Sequence, residues 1–381
     1  MSFMSKREYL IELKKKYFKS RKKKKIQLLD DFCVFTGYHR KSALRLINNS
    51  LASKWKHYRP RKRYYDQAVI DILLILWRAS DEICAERFQP YIPYILKKMI
   101  ECKEISVTQE IKEKLLKISL GTVKKILHKT KHRSTIRIKG TTRPGSLLKN
   151  QIAIRYGDWK DTDPGWCETD TVAHGGDSVA GDFVYSLDVI DLYSGWSEQA
   201  AIWGKGEIAT KLQMDKIRKR LPFKLLGLNP DNGSEFINWQ LYRYCKKNNI
   251  NLTRTRAYHK NDNPHIEQKN WTAIRQLIGY SRLDKRKQQY LLNDLYENEW
   301  RLYLNFFQPM MKLKKKTKNL NTGRIKKIYY PAKTPYQRLL EHPKTTKQQK
   351  DMLRSIYKTL NPIILKQQIN KKLEAIRRIV K

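Results

Sequence analysis

Three acidic residues in three different local contexts constrain the fold of this chain most strongly. Asp170 lies in the strand-like run Trp-Cys-Glu-Thr-Asp-Thr-Val, and Asp231 ends the run Leu-Gly-Leu-Asn-Pro-Asp before Asn-Gly, a turn dipeptide. Glu267 falls in the first turns of a helix predicted to begin near Asp262. Two strand ends and one helix meet only in a tertiary fold. If they meet, their carboxylates can hold two Mg²⁺ ions, and such a pair drives in-line attack on a DNA phosphodiester.

The surrounding residues alternate between strand and helix patterns. Three strands that form a meander come first, and strands that alternate with helices follow. We predict strands at 166–173, 182–190, 196–203, 223–229 and 251–255, and helices at 206–220, 234–248 and 262–280. This order predicts a mixed five-stranded sheet with helices on both faces, which is an α/β core.

Two sequence blocks carry a family resemblance. They are Pro-Asp-Asn-Gly-Ser-Glu-Phe at 230–236 and Asn-Asp-Asn-Pro-His-Ile-Glu-Gln-Lys-Asn-Trp at 261–271. With them, residues 166–280 resemble the catalytic core of the retroviral-type integrase and bacterial insertion-sequence transposase superfamily. The resemblance implies a ribonuclease H-like fold and the triad Asp170, Asp231 and Glu267. It further implies two Mg²⁺ ions per site, with Mn²⁺ as an alternative, and the cutting and joining of DNA ends.

Charge is distributed unevenly along the chain. The formal net charge is +44, from 80 Lys and Arg against 36 Asp and Glu. Residues 1–65 carry a net +16 and residues 281–381 a net +19, whereas residues 166–280 carry only +2. A Lys-rich composition typical of an AT-rich genome accounts for part of this excess. The rest indicates basic arms that neutralise DNA phosphates on both sides of a near-neutral core.

Two helical units precede the core. Residues 26–49 predict a helix with an apolar face at positions 28, 29, 32 and 35, a break at Thr36-Gly37-Tyr38, and a second helix with basic residues outward. This pattern is that of a helix-turn-helix unit, with an ordinary helical hairpin as the alternative. A similar turn and helix occupy 118–128.

The chain is therefore divided into five segments. We predict a helix-turn-helix unit at 1–62, a second helical unit at 63–130, a basic linker at 131–160, the core at 161–281 and a small basic C-terminal region at 282–381. Within the last segment, the sequence predicts a helix at 288–307, a basic loop at 312–318, a strand at 324–330 and a helical tail.

Candidate DNA contacts come from the second N-terminal helix and from the surroundings of Glu267. They are Arg40, Lys41, Arg45, Lys260, Asn263, Lys269 and Asn270. On a helix, Asn263 and Asn270 share the face of Glu267. A solvated polar helix remains the alternative for this second group, and Trp271 is predicted to belong to the core rather than to stack on a base.

Other acids compete for the site. Glu168 shares a strand face with Asp170 and is predicted to support the site from behind rather than to hold a metal. We interpret Asp191 as a turn-former and Glu235 as the cap of a following helix. Asp188 lies on the second strand.

The expected partners and the alternatives follow from these features. We expect double-stranded DNA, as element ends and target, and a homodimer or larger multimer, because each event joins two ends and a subunit has one triad. No small-molecule cofactor, membrane span or signal peptide is expected. Five Cys without a Cys-x-x-Cys indicate a reducing cytoplasm. The expected location of the protein is the nucleoid of a prokaryotic cell. His128 and His132 lack the Cys pair of a zinc module. A catalytically inactive DNA-binding regulator and a related metal-dependent nuclease remain as alternatives.

Overall fold

A computed structural model gives the three-dimensional structure of the chain. It describes residues 3–48, 64–130, 153–154, 163–178, 180–231, 233, 235–254, 266, 269–318 and 323–379. These fall into two compact units, Met1–Tyr64 and Tyr65–Lys381.

The first unit consists of three helices around a small apolar core. The helices are Phe3–Lys19, Lys22–Thr36 and Arg40–Asn48. Phe32, Ala43 and Ile47 are fully buried, as the helical pattern predicts, but Phe35 is 65% exposed. Gly37 ends the second helix in the left-handed conformation (φ 73°), which a residue without a Cβ adopts at little cost.

The second unit contains a six-stranded mixed sheet. Its strands are β1 (Ala153–Ile154), β2 (Trp166–Ala173), β3 (Val184–Asp191), β4 (Ser197–Trp203), β5 (Gly227–Pro230) and β6 (Asn251–Arg254). The spatial order is β1-β6-β5-β2-β3-β4. β2, β3 and β4 form the antiparallel meander, and β5, β6 and β1 add parallel pairings beside β2. This arrangement confirms the predicted five strands and fits a ribonuclease H-like core; the short β1, inside the predicted linker, is an addition.

Helices cover both faces of the sheet, because alternate side chains of each strand face opposite ways. Leu187 and Val189 of β3 pack with the helices Glu207–Arg220 and Trp239–Lys247. Val184 of the same strand packs on the other face in a cluster with Ala273, Leu295 and Tyr303. The second cluster lies under the helix that follows position 267.

The other helices of this unit flank the sheet region in sequence. Before the sheet they are Gln67–Ala79, Ala85–Phe88, the 3₁₀ turn Gln89–Tyr91, Ile92–Glu101, Gln109–Leu116 and Leu120–His128. After it they are the π-helical Asn270–Arg275 with Gln276–Ile278, then Arg286–Leu295, the π-helical Tyr296–Trp300 and Arg301–Phe307, then Pro335–Glu341, Lys347–Thr359 and Pro362–Arg378.

The predicted segments 63–130, 161–281 and 282–381 pack into one unit. A single cluster of buried apolar side chains includes Trp77, Ile274 and Ile369, one from each segment. Buried polar contacts join them as well, since the Tyr303 hydroxyl donates to the Ala79 carbonyl at 2.8 Å. The helical C-terminal region is therefore part of the support of the sheet rather than a separate tail.

A basic hairpin departs from the prediction. The expected loop at 312–318 contains the strand β7 (Leu313–Lys318), which pairs antiparallel with β8 (Ile325–Tyr329). Lys316 lies opposite Lys327 in this pairing, and every described residue of both strands except Thr317 is exposed.

Two further expectations concern membranes and thiols. Across the described part of the chain, no helix has the length and apolarity that a membrane span requires. All five cysteines lie in described ranges and carry free thiols.

Candidate active site

Parallel pairing of β2 with β5 brings Asp170 and Asp231 to the same edge of the sheet. Thr169 and Pro230 are directly paired across these strands. Asp170 directly follows Thr169, and Asp231 directly follows Pro230. The two aspartates therefore lie side by side just beyond this last pair. The residues directly before each acid are buried in the sheet, and the acids follow where the β2–β5 pairing ends, although β2 continues along β3 to Ala173.

The Asp170 carboxyl is held in an acidic and poorly solvated environment. Burial raises its pKa to about 8, and the neighbouring carboxyls of Asp231 and Glu235 add to the rise. Two donors oppose this shift: the Thr171 amide, 2.7 Å from Oδ1, and the Asn270 amide nitrogen, 2.7 Å from Oδ2. A cation at this position would remove the repulsion between these carboxyls.

A glycine turn separates Asp231 from Glu235. The Gly233 amide donates to Asp231 Oδ1 at 2.9 Å. A Cβ atom at position 233 would lie 2.6 Å from Glu235 Oε2 and 3.0 Å from Asp231 Oδ1. Glycine leaves room for both carboxylates here, and a side chain at position 233 would displace the Glu235 carboxylate. Burial raises the pKa of Asp231, and Glu235 adds to this effect.

Glu235 is a site residue that the sequence analysis assigned wrongly. The following helix is capped by Asn238, whose side chain accepts from the Leu241 amide at 2.8 Å, and not by Glu235. Glu235 is 1% exposed, and its Oε1 accepts from the Thr171 hydroxyl at 2.8 Å and pairs with Lys205 Nζ at 2.9 Å. The signal in the sequence was the short Asp-x-Gly-x-Glu spacing, which keeps this carboxyl beside Asp231.

Two hydrogen bonds fix the chain on either side of Glu267 against β2. Glu267 itself lies outside the described residues. On one side of it, the Ile266 amide donates to Glu168 Oε2 at 3.0 Å. On the other side, Asn270 donates to Asp170 Oδ2 at 2.7 Å. Glu168 is fully buried, and this contact agrees with its predicted supporting role.

Asp188 and Lys269 form a buried polar layer on the same face of the sheet. Asp188 is the cross-strand partner of Asp170, and its Oδ1 accepts from Ser197 at 2.9 Å and from Gln199 at 2.8 Å. Burial raises the pKa of Asp188 to about 6, and Lys269 partly offsets the rise. Lys269 is only 6% exposed, so its side chain lies in the protein interior and not on an open surface, and its predicted DNA contact stays a prediction.

Several other predicted residues have clear positions. Lys41 and Arg45 are exposed on the helix Arg40–Asn48, and Arg40 is ion-paired with Asp30. Trp271 is 48% exposed, so its predicted place in the core was wrong. Lys260 and Asn263 lie outside the described residues, as do His132 and the predicted helix start near Asp262.

Asp191 has the role that the sequence predicts. Its carboxylate accepts from the Gly165 and Ser194 amides, both at 2.7 Å, and so closes the turn after β3. These contacts place it away from the pair of acids at the end of β2 and β5.

The oxygen atoms at the site match the ligand preference of a hard divalent cation. Glu235 Oε2 and Asn270 Oδ1 are buried without a hydrogen-bond partner, which is costly for a polar atom. Mg²⁺ binds carboxylate and carbonyl oxygens and retains several waters. Within the described ranges, no three His, Cys, Asp or Glu side chains are grouped closely enough to hold a metal on their own. Asp170 and Asp231 would supply two of the ligands.

Comparisons with known proteins identify the family. No family model matches the chain. The uncharacterized protein y4rM of Sinorhizobium fredii (strain NBRC 101917 / NGR234) is 34% identical over 341 residues, which cover 88% of this chain and 95% of that protein. The chain belongs to the same family as y4rM. The crystal structure of the catalytic core domain of BIV integrase in crystal form I matches 45% of this chain and 91% of its own length, at 16% identity and a TM-score of 0.26. A TM-score this low carries no argument about fold or activity.

The raised pKa of Asp170 predicts a dependence of stability on pH. The folded carboxyl holds a proton up to about pH 8, whereas the unfolded one releases it near its ordinary value of 3.8. The folded state therefore binds more protons in this window, and the free energy of unfolding falls as pH rises. In EDTA, Asp170→Asn should be more stable than wild type at pH 8 and should show a flatter profile. Thermal unfolding between pH 5 and 8 measures both.

The control for this experiment is Asp177→Asn, which changes an exposed aspartate of the same unit. Its pH profile should match that of wild type. Identical profiles for Asp170→Asn and wild type would show that Asp170 is ordinarily ionised in the folded protein.

Proposed function

We propose that this member of the y4rM family is a DNA transposase or integrase that binds the ends of a mobile element, cleaves DNA and joins the 3′ ends to a target. One observation carries the proposal. Asp170 and Asp231 lie next to each other just beyond the last β2–β5 pair, and the chain on both sides of Glu267 is hydrogen-bonded to the same strand, β2. The integrase-like sequence blocks around these residues support the same activity.

The carboxylates of Asp170, Asp231 and Glu267 would hold two Mg²⁺ ions, which lower the pKa of the attacking hydroxyl and stabilise the leaving 3′-oxygen. Asn270 orients Asp170 through its 2.7 Å hydrogen bond, and Glu168 anchors the backbone next to Glu267. The buried Glu235 forms an ion pair with the half-buried Lys205 beside the site and accepts a hydrogen bond from the Thr171 hydroxyl. Positioning and charge stabilisation then account for most of the catalysis, as in phosphoryl transfer generally.

Two basic surfaces are suited to the DNA backbone. In the first unit, the exposed Lys41 and Arg45 lie on the helix that we propose as the recognition helix of a helix-turn-helix. In the second unit, residues 312–330 contain eight Lys and Arg and no Asp or Glu. Lys316 faces Lys327 directly across the hairpin, a like-charge pairing that destabilises an isolated hairpin and that a phosphate backbone would relieve.

An active complex needs more than one subunit if each subunit contributes one acidic site and two DNA ends are joined. An inactive DNA-binding relative would retain the basic surfaces but would have no use for a cluster of poorly solvated, mutually repelling carboxyls. This cluster favours the enzyme over the regulator, and we propose a homodimer or a larger multimer on DNA.

The first functional prediction concerns the triad. Asp170→Asn, Asp231→Asn and Glu267→Gln should each reduce Mg²⁺-dependent strand transfer about a thousandfold, which corresponds to about 4 kcal/mol of activation free energy. Binding of the variants to element-end DNA should remain within about threefold of wild type, because phosphate contacts dominate affinity. Gel-based strand-transfer and gel-shift assays measure the two properties separately.

Asp177→Asn and Glu207→Gln are matched controls, since both acids are exposed in the same unit. They should transfer strands at the wild-type rate. Full activity of any triad variant would remove that residue from the catalytic site, and inactivity of wild type on every DNA end offered would count against the transposase activity itself.

The second functional prediction concerns the hairpin. Each phosphate contact contributes about 0.9 to the slope of log affinity against log salt. Lys316→Gln combined with Lys327→Gln should therefore make this slope less steep by about 1.8, if each lysine neutralises one phosphate. A fluorescence-anisotropy titration of duplex DNA between 50 and 200 mM salt gives the slope. The two hairpin substitutions should also change the affinity for DNA at low salt.

Lys216→Gln combined with Lys358→Gln is the control, because both lysines are exposed outside the hairpin. This double variant should keep the wild-type slope. A hairpin variant with an unchanged slope would mean that β7 and β8 do not contact DNA phosphates.

A further inference from the structure

A cavity of about 490 Å³ lies behind the helix that follows Glu267. Lys269, Thr272 and Gln276 line it from this helix, and Cys84 and Arg87 line it from the helical segment before the sheet. Asn270, the neighbour of Lys269, contacts Asp170. The cavity and the acidic site therefore contact the same helix, but through different residues.

Its polar lining is rich in unused hydrogen-bond donors. The Arg87 guanidinium uses Nε for the Pro309 carbonyl at 2.7 Å, and its two terminal nitrogens have no described acceptor. Lys269 is 6% exposed, and its ammonium has an electrostatic interaction with Asp188 but no hydrogen-bond acceptor among the described residues. Two cations that line one cavity match the acceptor oxygens of an anion.

Burial is unfavourable for both cations. It lowers the pKa of Arg87, with Cys84 and Asp81 partly offsetting the decrease, and the Lys269 side chain beside it is 6% exposed. Three carboxylates lie near the two cations: Asp81 is ion-paired with Lys366, Glu82 is exposed, and Asp188 offsets the burial of Lys269 only in part.

The remaining wall is apolar and aromatic. It includes Leu304, Met310, Met311 and Tyr329. A ligand that combines a phosphate with a flat, weakly polar body satisfies both parts of the lining. The volume lies in the range of small-molecule sites, roughly 300–1,000 Å³.

We propose that this cavity binds a nucleotide, with its phosphate on Arg87 and Lys269 and its base against the apolar wall. The ligand is either a free mononucleotide or the 5′-phosphorylated terminal nucleotide of a DNA strand, which share this chemistry. Lys269 is next to Asn270 in the sequence. A ligand in the cavity would therefore contact the helix whose Asn270 side chain touches Asp170. The inference stands independently of the proposed transposase function.

Alkylation of Cys84 in the full-length wild-type protein tests the proposal without any substitution. Cys84 lines the cavity, and Cys33 in the first unit serves as the internal reference. With iodoacetamide and peptide mass spectrometry, dAMP at ten times its Kd should slow the modification of Cys84 about tenfold, in proportion to occupancy. Cys33 should react at an unchanged rate, and deoxyadenosine, which lacks the phosphate, should protect far less.

Variants then assign the phosphate contacts. Arg87→Gln and Lys269→Met should each raise the dAMP concentration for half-protection about tenfold, which is the affinity that one charged hydrogen bond contributes. Arg78→Gln and Lys216→Met change exposed residues outside the cavity and should leave this concentration unchanged. A 5′-phosphorylated oligonucleotide that protects at lower concentration than dAMP, and better than its 5′-hydroxyl form, identifies the strand terminus as the source; the reverse order identifies a free nucleotide. No protection of Cys84 by dAMP or by the phosphorylated oligonucleotide, or equal protection by deoxyadenosine, would overturn the proposal.

Discussion

The parallel pairing between β2 and β5 is the constraint on which the site depends. It places Asp170 and Asp231 side by side because both residues follow the last directly paired positions, Thr169 and Pro230. The same pairing makes the site electrostatically unfavourable, since Glu235 joins the two acids in a poorly solvated place. A fold tolerates such a group of carboxyls when the rest of the sheet is well packed. Carboxyls with strongly raised pKa values are concentrated at sites where they serve chemistry.

Contacts to β2 connect this sheet edge with the helix on one face of the sheet. Glu168 and Asp170 alternate with Cys167 and Thr169 along the strand, so both acids point toward that helix. Glu168 binds the Ile266 amide, and Asp170 accepts from Asn270. The helix therefore depends on the strand that carries the first acid, and a shift of either element would change the position of the other.

The sequence allowed much of the core to be predicted, because alternation and turn signals are local. The bounds of β2 were predicted residue for residue, and β3 and β4 within two residues. Side-chain partners were not predictable. Glu235 looked like a helix cap, yet the Lys205 ion pair that holds it lies thirty residues away in sequence. The burial of Lys269 beside Asp188 was not predicted either. The C-terminal region was predicted as a separate segment, but its apolar side chains complete a core that it shares with the other segments. These outcomes depend on tertiary contacts that no local pattern encodes.

The central claim is that Asp170 of β2 and Asp231, which follows β5, form one metal site. Anomalous diffraction from crystals soaked in Mn²⁺ tests it most directly, because it locates the metal without relying on activity. The account predicts an anomalous peak within about 2.5 Å of carboxylate oxygens of both Asp170 and Asp231, with Glu267 completing the ligands of the same or a second ion. A well-ordered site without a peak at saturating Mn²⁺, or a peak that contacts only one of the two aspartates and no Glu267, would contradict it.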